Sequence, residues 1–183
     1  MVVRYTIYII PKMSARKLKR KKVVVAVSGG FDPIHIGHAR LFERARALGD
    51  ELVVILNNDN WLFKKKRYIF MPQEERKEII ETLRPVDRVM LTRHGPNPSD
   101  MSVSRELRLL KPGIFANGGD RNEADAANPM SSLHKDITTC KKFGIKMIFS
   151  VGEGGKIQSS SWLLGKFAAK APAKKIPKNK RRK

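Results

Sequence analysis

A chain of 183 residues with a formal net charge of +21 is long enough for one hydrophobic core and short for two. Hydrophobic residues at 41% and charged residues at 30% give a globular balance, and a single cysteine, Cys140, excludes an intrachain disulfide framework and suits a reducing, cytoplasmic setting. No apolar run approaches the length of a transmembrane helix, so the sequence predicts a soluble protein without a membrane span.

The basic residues are concentrated at the ends. Residues 1–22 hold 8 Lys/Arg and residues 166–183 hold 9, with no acid in either, while 23–165 keeps 21 basic residues against all 17 acidic ones. The arms "RKLKRKK" and "KAPAKKIPKNKRRK" carry too little apolar surface to fold and are predicted to be solvated. Two uses stay open for them: polyanion contact through counterion release, or an aid to solubility and localisation. The opening "VVRYTIYII" is too short to cross a bilayer, and its charge follows the apolar stretch rather than preceding it as in a signal peptide. It reads as an edge strand, a weak targeting segment or an upstream start. The predicted organisation is a basic extension over 1–22, one domain over 23–165 and a basic tail over 166–183.

Within that domain, strand and helix patterns alternate. Apolar, β-branched runs stand at "VVVAV" (23–27), "ELVVILN" (51–57), "VDRVML" (86–91), "GIFAN" (113–117) and "IKMIFS" (145–150), each reading as a strand buried on both faces. Between them, "GHARLFERARAL" places Leu41, Phe42, Ala45 and Leu48 on one helical face. "PQEERKEIIETL" opens with Pro72 and buries Ile79, Ile80 and Leu83. "SDMSVSRELRLL", "SSLHKDITTCKKF" and "SSSWLLGKFAA" are the remaining helical stretches. The alternation predicts an α/β fold: a Rossmann-like, doubly wound, five-stranded parallel sheet with helices on both faces and a site at the carboxyl ends of the strands.

The first strand runs directly into "GGFDPIHIGH" (29–38). In such a sheet the first β–α corner offers backbone N–H groups and the positive end of a helix dipole to an anion. Gly29 and Gly30 allow a sharp turn without side chains that would block a phosphate. Gly37 lets a ligand lie close to the backbone, at a cost of up to about 1 kcal/mol in helix stability. His35 and His38, three residues apart, share one face of the first turn and can donate to one phosphate group. Neither G-x-G-x-x-G nor the lysine-bearing P-loop occurs.

"GGFDPIHIGH" resembles the G-x-F-D-x-x-H-x-G-H motif of the nucleotidyltransferase superfamily. Those enzymes join a nucleoside triphosphate to a phosphate monoester and release pyrophosphate. The resemblance implies nucleotide contacts at Gly29, Gly30, Phe31, Asp32 and Gly37, and catalytic roles for His35 and His38. Class I aminoacyl-tRNA synthetases share the HIGH corner, but "KMSARK" (12–17) precedes it, whereas their K-M-S-K-S loop follows. It is read as a chance match.

Because the nucleophile is an ionised phosphate oxygen, no activated Ser or Cys is required. Catalysis reduces to positioning and cationic stabilisation, with Mg²⁺ carried on the nucleotide phosphates and no direct protein ligand to it. The run Lys64, Lys65, Lys66, Arg67 is predicted to form a flexible basic loop that reaches both substrates, with Lys65 taken as catalytic and Lys64 and Lys66 as substrate-binding. "ETLRPVD" resembles a family segment whose arginine, here Arg84, faces the site; Arg76 is either a helix-surface or a structural residue. "KPGIFANGGD" resembles the family's K-P-D-x-x-x-x-G-D, implying nucleotide contacts at Gly119 and Asp120, the latter otherwise a turn former. In "GGKIQSSSWLL", Ser159, Ser160 and Ser161 resemble the S-[ST]-[ST] phosphate motif, with Ser161 also a candidate cap and Lys156 a substrate-binding cation.

The middle and end most resemble the cytidylyltransferase-like group that acts on alditol or sugar phosphates, although the arginine expected before the serines is absent. The expected reaction is transfer of CMP or AMP from CTP or ATP to a phosphorylated small acceptor. The alternatives are an adenylyltransferase for a cofactor precursor such as FMN, a pyridine mononucleotide or phosphopantetheine, and a nucleic-acid-binding module using the basic arms. Relatives of this size imply a homodimer. Trp61 and Trp162 are either core residues or base-stacking ones, while His94 and His134 are read as surface residues.

Overall fold

A computed structural model describes residues 20–118, 131–152 and 159–170. The elements run β1 (Val24–Gly29), α1 (Ile36–Arg46), β2 (Glu51–Leu56), α2 (Asp59–Lys66), α3 (Gln73–Glu81), β3 (Arg88–Leu91), α4 (Ser104–Leu110), β4 (Ile114–Ala116), α5 (Ser132–Phe143), β5 (Lys146–Ile148) and α6 (Ser160–Lys170). The five strands form one parallel sheet in the order β3-β2-β1-β4-β5. This is the predicted architecture. Strand order reverses at β1, so the crevice beyond the carboxyl ends of β1 and β4 is the expected ligand position.

Strand alternation divides the core between the two faces of the sheet. Val25, Val27, Leu52, Val54 and Leu56 pack with Phe42 and Ala45 of α1 and Ile80 of α3. Ala26, Ile55 and Phe115 pack on the other side with Leu107 of α4 and Cys140 of α5. Every residue of β2 is buried, as expected of a strand that is apolar on both faces.

The segment 59–66 departs from expectation, because it is helix α2 and not a flexible loop. Asn58 caps it by accepting from the Trp61 N–H at 3.2 Å, and Arg67 ends it in the left-handed region at φ 65°. Three consecutive lysines are good helix formers, and they occupy its last turn, where cations suit the helix dipole. The last described element, α6, runs Ser160–Lys170.

Candidate active site

The corner between β1 and α1 is built around Phe31. Its backbone takes φ 48°, a conformation bulky residues rarely adopt, and this turns the ring back into the core. The ring meets Phe42 at 5.0 Å and His38 edge-on at 4.9 Å between centroids. A Cβ on Gly29 would lie 2.7 Å from that ring, and one on Gly30 would lie 2.7 Å from Leu62. Both glycines therefore make room for protein side chains, which differs from the expectation that they clear space for a phosphate.

Asp32 is also turned inward. It is fully buried, and its two carboxylate oxygens accept the N–H groups of Phe70 and Met71 at 2.9 and 2.8 Å. Its carbonyl oxygen accepts from the Lys66 ammonium at 2.6 Å. Phe31 and Asp32 thus act on the corner from beneath, as supports, where direct nucleotide contact was expected of them.

His35 stands at the N-cap of α1, with Gly37 and His38 in its first turn. The two imidazoles stack, with centroids 3.7 Å apart and an interplanar angle of 21°. The His35 backbone N–H donates to His38 Nδ1 at 3.3 Å, which leaves the proton on Nε2 and makes that nitrogen a donor. His35 Nδ1 is buried and has no hydrogen-bond partner among the described residues. Burial, the His35 ring and Lys66 together push the His38 pKa down to about 3. Burial and Lys66 also lower that of His35. Both rings are therefore neutral donors at physiological pH, and the positive charge at the corner sits on Lys66. Burial and the Arg76 guanidinium lower the Lys66 pKa, against the opposing pull of Asp32.

A stability consequence follows. The unfolded imidazole of His38 takes up a proton below its ordinary pKa of 6.5, while the folded one resists protonation down to about 3. The unfolded state binds more protons in that window, so stability is lost as the pH is lowered from about 6.5 towards 3, by up to about 1.4 kcal/mol per unit from this group. Thermal melts from neutral pH down to about 4.5 should show the slope, and His38→Gln should flatten it. Parallel curves for the two proteins would mean that His38 titrates like a free imidazole.

Other expected site residues fall into two groups. Ser160 is buried at the start of α6, and its hydroxyl donates to the Pro33 carbonyl at 2.9 Å, which brings the serine turn to the first corner across 127 residues of sequence. The Ser159 carbonyl accepts from the Leu163 N–H at 3.0 Å, while Ser161 is exposed. Gly118, just past β4, packs so closely that a Cβ would meet Leu41 of α1 at 2.7 Å. Lys66 joins this group.

The second group lies apart. Lys65 extends over the Trp61 ring at 4.7 Å and is exposed, while Lys64 donates to Asn97 Oδ1 at 2.6 Å. Of the three lysines, Lys66 is the one at the histidines, not Lys65. Arg84 is exposed in the α3–β3 connection, which reaches the sheet at the amino end of β3. In a parallel sheet that is the end opposite the histidine corner, so the structure does not bring Arg84 to the site. Gly119, Asp120 and Lys156 lie outside the described residues.

Sequence reasoning gave Arg76 no definite role. It is wholly buried, and its guanidinium donates to the carbonyls of Met71 (2.9 Å), Gly30 (2.6 Å) and Asn57 (2.9 Å) and to Asp59 Oδ1 (2.6 Å). One side chain thus ties the ends of β1 and β2 to α2 and to the α2–α3 connection. His94, expected at the surface, is half-buried and hydrogen-bonded. Its Nε2 lies 3.1 Å from the Ser102 carbonyl and its Nδ1 lies 2.9 Å from Thr92 Oγ1, while its own carbonyl accepts from Asn58 and Asn60.

Among the described residues, no three His, Cys, Asp or Glu side chains gather as a metal set. The corner offers imidazoles and an ammonium, and both oxygens of its buried carboxylate are engaged. That donor set does not fit Mg²⁺, which demands near-octahedral oxygen ligands. Nor is any helix of the described residues long and apolar enough to cross a membrane.

Three comparisons bear on the site. The chain is 38% identical over 104 residues to the FAD synthase of Thermococcus kodakarensis, a match covering 56% of this chain and 66% of that protein. It is 37% identical over 102 residues to the FAD synthase of Ferroglobus placidus, covering 56% and 61%. The matches span just under two thirds of these relatives. Among solved structures, the lipopolysaccharide core biosynthesis protein of Thermoplasma volcanium aligns with a TM-score of 0.57 at 25% identity, covering 73% of this chain and 99% of that one. The family model described as cytidylyltransferase-like matches residues 26–136, which contain the stacked histidines, Lys66 and Arg76, and on that match this chain belongs to the cytidylyltransferase-like family of nucleotidyltransferases.

Proposed function

We propose that this chain transfers AMP from ATP to the terminal phosphate of FMN, forming FAD and releasing pyrophosphate. The observation that carries the reading is its similarity to FAD synthases, at 38% identity over 104 residues and 37% over 102. Those relatives favour the cofactor-precursor acceptor over the sugar or alditol phosphate expected from sequence.

In the proposed reaction a phosphate oxygen of FMN attacks the α-phosphorus of ATP. A new P–O bond forms, the bond from the α-phosphorus to the bridging oxygen breaks, and pyrophosphate leaves with its electron pair. The N–H groups of the first turn of α1 and the imidazoles of His35 and His38 would donate to the α-phosphoryl oxygens as charge redistributes. As neutral donors they need no rearrangement when the triphosphate arrives. Lys66, fixed by the Asp32 carbonyl, supplies fixed positive charge beside them. The serine turn, tethered by Ser160 to Pro33, would meet the departing pyrophosphate. Mg²⁺ would come with the triphosphate.

A second reading, cytidylyl transfer to a sugar or alditol phosphate, is favoured by the similarity to the lipopolysaccharide core biosynthesis protein. Pyrophosphate release separates the two. The full chain is incubated with Mg²⁺ and either ATP or CTP, against FMN, glycerol 3-phosphate or heptose 1-phosphate. FAD formed from ATP and FMN is the expected result. Turnover only with CTP and one of the other acceptors would replace the proposal with the second reading.

A further inference from the structure

Between α2 and the loop that follows β3 lies a cleft of about 460 Å³. This is within the usual size range of small-molecule sites. Its walls are Phe63, Ile69 and Pro96, and its rim carries Asn60, Lys64 and Arg67. Phe63 is 54% exposed and Ile69 39%, so two large apolar side chains at the cleft keep substantial surface open to solvent. Asp59 also lines it, but its Oδ1 is already paired with Arg76.

We infer that this cleft holds the planar ring of the acceptor while the acceptor's phosphate lies at the histidine corner, an inference that rests on the FMN reading above. Two chain connections run from the cleft to the corner. Arg67 of the cleft directly follows Lys66, whose ammonium is bonded to the Asp32 carbonyl. Ile69 of the cleft directly precedes Phe70, whose N–H is held by the Asp32 carboxylate three residues before His35. The five-carbon chain between the acceptor's ring and its phosphate is the part that would run from the cleft to the corner.

The chemistry of the lining selects the ring. An alditol or sugar phosphate is hydroxylated along its length and gains little from Phe63, Ile69 and Pro96. An isoalloxazine ring has two broad apolar faces to set against them. Its pyrimidine edge carries carbonyl oxygens for Arg67 and Lys64, and an N–H for Asn97 Oδ1, which Lys64 already orients at 2.6 Å.

The test is titration of FMN fluorescence by the full chain, with riboflavin as a probe that has the ring but no phosphate. Phe63→Ala and Ile69→Ala should each weaken FMN binding about tenfold, as expected for the loss of a stacking or apolar wall, and leave ATP affinity unchanged. Phe63→Trp should retain it. Riboflavin should compete with FMN for the wild-type protein and lose affinity in parallel in Phe63→Ala. Both wild-type side chains face solvent, and circular dichroism checks that each variant folds. If the wild type forms FAD but both alanine variants bind FMN and riboflavin as it does, the cleft assignment is overturned and the proposed reaction stands. If the wild type neither binds nor adenylylates FMN, both are overturned.

Discussion

His38→Ala should fold as the wild type does and lose about 100-fold or more in kcat, the usual cost of removing one preorganised donor from a developing charge. The position of the ring explains why the loss should fall on kcat. Its Nδ1 is occupied by the His35 N–H, its edge rests on Phe31, and its face lies against His35. The ring cannot swing to follow a substrate, so its Nε2–H is aimed before the triphosphate arrives. A donor fixed in this way is most effective where the α-phosphoryl group changes geometry, not where the bound triphosphate first rests. Steady-state kinetics with ATP as the varied substrate checks this. An unchanged kcat with a raised KM would mean that His38 only binds the ground state, and the role assigned to it would fall. In the same assay Lys66→Met should cost more than Lys65→Met, because Lys66 is anchored at the histidines and Lys65 lies over Trp61.

Much of the fold was legible because the information is local. The β-branched runs that mark β1, β2 and β4 are buried on both faces in the structure, and their order along the chain permits few parallel topologies. The histidine corner was legible for the same reason, since glycines, Asp-Pro and two histidines stand within ten residues. What the sequence could not convey is which way each of them points. Phe31 and Asp32 belong to the motif, yet their side chains serve packing and the capture of the Phe70 and Met71 amides 38 and 39 residues on.

The lysine run illustrates a second limit. Four consecutive cations look like a loop in a one-dimensional reading, but a helix distributes them around its circumference. One then meets the corner, one covers a tryptophan, and Lys64 and the capping Arg67 reach the cleft. Arg84 is a different case, because its place could have been worked out. A residue four positions before a parallel strand stands at that strand's amino end, and the corner is at the carboxyl end. Arg76 had no such clue. In "EERKE" an arginine among acids reads as a solvated helix face, and nothing local announces that it is fully buried.

That buried arginine carries the largest expected stability effect. Arg76→Met keeps an apolar stem of similar reach and removes every hydrogen bond of the guanidinium. Three carbonyls, those of Gly30, Asn57 and Met71, then lose a donor in an interior that water does not readily enter. Each buried acceptor left unpaired costs about 1–3 kcal/mol, while Asp59 keeps access to water, so the three carbonyls together set an expected loss of about 3–5 kcal/mol. Arg76→Lys should recover little of it, since one ammonium cannot reproduce a planar fork directed at four separate acceptors. The same bonds hold the β1 turn against α2 and the α2–α3 connection, so whatever variant remains folded should also transfer nucleotide more slowly. Urea denaturation of wild type, Arg76→Met and Arg76→Lys provides the measurement. A loss below about 1 kcal/mol in Arg76→Met would mean that the carbonyls find other donors, and that the corner is held by Asp32 and the Phe31 ring without the arginine.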